Sequence, residues 1–109
     1  MAVGVAYLGT TSRALGLLAN ALGDYQMAIG DLEDAIEIET RLGAGAYEAR
    51  ARLDLARTYL ARQGSGDAER AVTLLRDARR IAERLGLRTV ASQIVVALDQ
   101  RSASRQNQG

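Results

Sequence analysis

Two trios of side chains repeat the same chemistry-bearing steps. Arg13, Leu17 and Asn20 fall at i, i+4 and i+7, and Arg50, Asp54 and Arg57 fall at the same steps further along. On a helix those steps share one face. Together they offer guanidinium for a carboxylate, an amide for backbone groups and leucine for apolar contact. The competing use of the same charges is simple pairing of Asp54 with Arg50 and Arg57 on an exposed face, which stabilises little.

Other chemistry is thin. The chain has no Cys and no His. That removes disulfides, thiol nucleophiles, imidazole bases and zinc sites of the usual ligand types. Carboxylates crowd the stretch from Asp31 to Glu39. Asp31, Asp34 and Ile38 share one edge with Glu33 and Glu37 beside it, and a solvated helix face explains them better than a metal or an acid–base pair. Thr10, Thr11, Ser12 and Ser65 read as helix caps. "GAG" (43–45) and "GSGD" (64–67) have neither the spacing nor the lysine of a phosphate loop. Arg76, Arg79, Arg80, Arg84 and Arg88 crowd one segment. Asp77 and Glu83 interleave with them and no aromatic platform accompanies them, so a salt-bridged face is expected rather than a nucleic-acid site. The expectation is a non-enzyme with no cofactor and no metal.

The elements that must position the two trios are helices. The chain is 109 residues long, 48% hydrophobic, with no Pro, Phe or Trp and a net charge of +1. All fourteen basic residues are arginine, a bias that suggests a GC-rich bacterial genome. The opening "MAVGVAYLG" lacks a basic leader and a long apolar run, so neither a signal peptide nor a membrane span is expected, and the cytoplasm is the expected location. Apolar residues recur at helical spacing and predict helices over 10–23, 24–42, 45–63, 67–85 and 87–101. Residues 1–9 read as an N-terminal remnant or the start of the first helix. Residues 102–109 read as a frayed polar tail.

The two halves repeat. Leu15-Gly16 matches Leu55-Ala56, Ala19 matches Tyr59, and Asp24, Ala28, Leu32 and Ala35 match Asp67, Ala71, Leu75 and Ala78. The offset is 40 residues before the connecting turn and 43 after it. A helix-pair repeat of this length implies a stacked solenoid. It also gives a use for glycine inside the first helix, where glycine costs about 0.5–1 kcal/mol relative to alanine. Close packing of an antiparallel pair needs small contact residues, so Gly16 should face Ala28, and Ala56 should face Ala71. Gly30 has no place in this scheme.

The pattern Leu15-Gly16, Gly23-Asp24-Tyr25, Ala28, Leu32, Ala35, with its second copy Leu55-Ala56, Tyr59, Asp67, Ala71, Leu75, Ala78, resembles the tetratricopeptide repeat. Ala19 stands where that family has an aromatic residue, and the family's proline after the second helix is missing. The resemblance implies an all-α, right-handed solenoid of two antiparallel pairs plus a C-terminal capping helix over 10–101. From about Leu8 to Leu98 the sequence is similar to the repeat segment of large bacterial LuxR-type regulators and adenylate cyclase–ATPase multidomain proteins. This implies a fragment of such a protein acting as an interaction scaffold, with a ligand- or peptide-sensing arm or a self-association module as alternatives. The expected partner is a protein or peptide in the concave groove. Arg13, Leu17, Asn20, Arg50, Asp54 and Arg57 are the candidate residues. Leu17 stands where the family's carboxylate clamp would want an amide. A homodimer is also expected, because two repeats leave two open ends. Val96, on the far side of its helix from Leu87, Ile94 and Leu98, is the candidate contact.

Overall fold

The structure, a computed structural model, describes the backbone of residues 2–108 and the side chains of residues 12–99. Five helices follow in order: α1 (Ala2–Ala21), α2 (Tyr25–Leu42), α3 (Gly45–Arg62), α4 (Asp67–Leu85) and α5 (Arg88–Gln108). Alanine, leucine, arginine and glutamate dominate them, all residues that lose little on entering a helix. Short connections force consecutive helices to lie antiparallel.

The turns are closed by specific groups. Asp24 caps α2, its carboxylate accepting from the Met27 amide at 3.1 Å. Gly43 ends α2 with φ +68°, a left-handed geometry that glycine adopts without strain. Gln63 ends α3 in the same region at φ +57°, its amide donating to the Tyr59 carbonyl. Ser65 does not cap α4, because Gly66 holds the N-cap position. The side chain that ties this turn is Asp67, whose Oδ2 accepts from the Gly64 amide at 2.8 Å.

Gly16 packs where the repeat pattern places it. A Cβ there would lie 2.7 Å from Leu32 Cγ and 3.3 Å from the Ala28 carbonyl oxygen. Only a residue without Cβ lets α1 and α2 come this close. Ala56 and Ala71 are fully buried in the second pair, and Ala35 of α2 and Ala78 of α4 are fully buried as well. Leu32, Leu53, Leu75 and Ile94 form the deepest layer, one from each of α2 to α5. Gly30 is exposed with open space around it.

Three expectations need correction. α1 begins at Ala2, so Thr10, Thr11 and Ser12 lie inside a helix and not at its start. α5 continues to Gln108 through the stretch read as a tail, since nothing between Arg101 and Gln108 is a helix breaker. The cap read at Ser65 falls to Gly66, and the side chain of Asp67 ties the turn.

Candidate functional site

α1, α3 and α5 line one side of the stack, and Arg13 is the residue that joins the first two. Its Nε donates to Asp54 Oδ2 at 2.6 Å. Arg57 Nη1 lies 3.9 Å from Asp54 Oδ1. Asp54 is 6% exposed. Burial pushes its carboxyl above the usual range, while Arg13, Arg57 and Arg50 pull it back. Three guanidinium groups thus surround one carboxylate, leaving the cluster with an excess of positive charge.

These residues line a groove of about 340 Å³ that α5 completes with Thr89, Val90 and Gln93. The structure therefore brings Arg13, Arg50, Asp54 and Arg57 together. Arg50 and Arg57 are exposed at its edge. Leu17 and Asn20 lie further along α1 and do not line this groove. Pairing of Asp54 does occur, but its short partner comes from α1 rather than from its own helix. Gln93 and Thr89 were missed by sequence reasoning. The turn sequence "RLG" recurs at 41–43 and 84–86, and this 43-residue step places Gln93 at the position of Arg50.

A second carboxyl lies in the same field. Glu39 is 1% exposed, and neither of its oxygens has a hydrogen-bond partner among the described residues. Burial raises its pKa to about 7. Arg13 opposes that shift, and Glu48 and Asp54 add to it.

The opposite side of the stack holds a larger open groove, about 450 Å³, between α2 and α4. Ile36, Leu55, Tyr59 and Leu74 form its apolar floor. Glu33 and Glu37 of α2, Arg52 of α3 and Arg70 of α4 are the charged residues that line it. Beside it, Asp67 is 1% exposed and takes Arg62 through two hydrogen bonds of 2.8 Å. Arg62 first, then the Gly64 amide and Arg70, hold its carboxyl far below the ordinary range against the effect of burial. Arg62 and Arg70 also sit over the Tyr59 ring at 5.5 and 5.9 Å.

The remaining candidates are dispersed. Glu37 pairs with Arg41 at 2.7 Å on the surface of α2. Among the described residues no three metal-ligating side chains converge. On α4, Arg79 meets Glu83 at 3.0 Å, and Asp77 lies 3.6 Å from Arg80 and 3.7 Å from Arg52. The basic run is thus laced by its own acids. Val96 is 52% exposed and Val95 beside it 46%. Among the described residues, no helix is long and apolar enough to cross a membrane.

No curated protein and no solved structure matches the chain. The sequence model of the tetratricopeptide repeat matches residues 7–84, which take in both helix pairs almost whole. With that match laid over paired helices packed through Gly16, Ala28, Ala56 and Ala71, the chain belongs to the tetratricopeptide repeat family, whose members are generally non-catalytic modules that bind other proteins.

Proposed function

We propose that the chain is an interaction scaffold that holds an acidic peptide, or a terminal carboxylate, in the groove between α1, α3 and α5. The observation that carries this reading is the excess of guanidinium around Asp54. Arg13 is spent on that buried carboxylate, while Arg50 and Arg57 keep donors at the rim. Gln93 and Thr89 supply neutral hydrogen bonds to a peptide backbone. Both grooves are open along one side. That suits an extended partner better than a small ligand, which an enclosed pocket would bury on most of its surface.

The larger setting we infer from the similarity to bacterial LuxR-type and cyclase–ATPase proteins is a cytoplasmic signalling regulator in which this segment is the interaction arm. Self-association through α5 is the second reading, favoured by adjacent exposed valines at 95 and 96.

The test is Arg50→Glu with Arg57→Glu, assayed against an acidic peptide library. Arg13 is left intact because reversing it would place two carboxylates together in the interior. Loss of acidic-peptide binding at least tenfold supports the groove. Unchanged binding in a folded double variant places the functional surface elsewhere.

A further inference from the structure

The second helix pair rests on the first, and that internal contact shows what the outer face of the first pair is built to receive. Leu55 is 3% exposed and Thr58 is fully buried, both on α3, the helix that packs on α2. The residues 40 positions earlier are Leu15 and Leu18, which are 52% and 57% exposed. Leu22, one turn on, is 77% exposed, and Met27 across the turn is 59% exposed. Single exposed apolar residues are ordinary. A contiguous stripe at i, i+3 and i+7 continued onto the next helix is not, and it marks a contact surface.

Charge says which kind of helix fits. Inside the chain, the groove where α2 meets α3 and α4 is lined by Glu33 and Glu37 of α2 and by Arg52 and Arg70 of α3 and α4. On the open face the positions equivalent to Arg52 and Arg70 are Ser12 and Met27, so both cations are gone. Asp31 replaces the equivalent of Leu74, and Asp34 stands where Asp77 holds two arginines. The rim has lost two cations and gained one acid, which leaves it acidic. A helix like α2 would now meet like charge. A helix like α4 would not, because Arg76 and Arg80 occupy its positions equivalent to Glu33 and Glu37. A second copy cannot bring its own α4 into this register, since α5 already packs where the incoming α1 would lie.

We propose that the face formed by Leu15, Leu18, Leu22 and Met27, edged by Asp31 and Asp34, docks an amphipathic helix of another protein. That helix carries branched aliphatic residues at i, i+3 or i+4 and i+7, with arginine or lysine along one edge. This surface is separate from the groove around Asp54, and either can exist without the other.

The experiment uses the full chain and two synthetic helical peptides as probes, residues 67–85 with the basic edge and residues 25–42 with the acidic one. Binding is followed by chemical-shift perturbation and titration calorimetry. The 67–85 peptide should bind at least tenfold more tightly than the 25–42 peptide, and shifts should centre on Leu15 to Met27. Leu18→Glu, an exposed change that leaves the core intact, should remove binding. Asp31→Arg with Asp34→Arg should reverse the preference. Binding of neither peptide, equal binding of both, or binding unaffected by Leu18→Glu overturns the proposal. So does a dimer of the chain alone that Leu18→Glu dissociates, because the face would then belong to a second copy.

Discussion

Arg13 of α1 and Asp54 of α3 meet at 2.6 Å across two helices that are not consecutive in the chain. The pair skips α2 and fixes the spacing of the two helices that line the groove. Asp54 is nearly sealed from water while Arg13 keeps part of its surface exposed. Removing the cation leaves an underpaired buried anion, which costs more than the pair itself contributes. Arg13→Ala should therefore destabilise the fold by about 2 kcal/mol, measured by urea denaturation. The double variant Arg13→Ala, Asp54→Ala should recover a good part of that loss. Strict additivity of the two single changes would show that they are not coupled.

Two glycines inside helices should respond with opposite sign. Gly16→Leu must displace Leu32, which a Cβ alone would already crowd at 2.7 Å, and should cost about 1–3 kcal/mol by overpacking. Gly30 has open space around its Cβ position, so Gly30→Ala gains helix propensity with no clash and should stabilise by about 0.5–1 kcal/mol. Thermal melts of both variants decide the matter, and a stabilised Gly16→Leu would refute the close approach of α1 and α2.

The repeat was readable because it is written in small residues. Gly16, Ala28, Ala56 and Ala71 carry the geometry of the helix pairs in their size alone, and size is visible in a sequence. The partner of Asp54 was not readable. Arg50 and Arg57 lie on the same helix and look like its natural partners, whereas Arg13 reaches it only through the packing of α1 beside α3. Glu39 was hidden differently. It sits in a run of acids that reads as a solvated face, yet its spacing from Ala28, Leu32 and Ala35 continues the buried stripe by steps of four, three and four. Following the phase rather than the composition would have found it. The open leucine face was invisible for a third reason. Leu15 and Leu18 look like core in any hydrophobic pattern, and only the stacking order shows which side of the first pair lacks a cover.

Asp67 locks the turn between α3 and α4, and its removal should be felt there first. It accepts from Arg62, Arg70 and the Gly64 amide at the start of α4, where the helix dipole also favours an anion. Asp67→Ala should lower the melting temperature by on the order of 5–10 °C, and amide exchange at Gly64 should accelerate. An unchanged exchange rate at Gly64 would mean the turn is held by other contacts. Because the carboxyl titrates far below its ordinary value, its stabilisation is present above pH ~4 and is lost as the solution becomes more acidic.

Glu39 should give stability the opposite pH dependence in a separate window. Its carboxyl rises from the ordinary 4.5 to about 7 in the folded chain. The groups facing it are Arg13 on α1 and Glu48 and Asp54 on α3, and α1 before Arg13 contains no charged side chain. Below pH ~4.5 the group is protonated whether the chain is folded or not, so it costs nothing. Between about 4.5 and 7 the unfolded chain releases the proton and the folded chain retains it, so stability falls as pH rises. Above about 7 both forms are ionised and the full cost, about 3 kcal/mol for a shift of this size, is in place. Glu39→Gln keeps the shape and removes the charge, so its urea midpoint should vary far less between pH 4.5 and 7.5 than that of the parent. It should exceed the parent's most at the upper end. A residual slope of the same sign is expected from Asp54, whose carboxyl is also raised. Parallel pH profiles for parent and variant would show that Glu39 is paired or hydrated in solution. The outcome bears on the groove as well. An ionised Glu39 competes with Asp54 for the field of Arg13, so a protonated Glu39 leaves that guanidinium to Asp54.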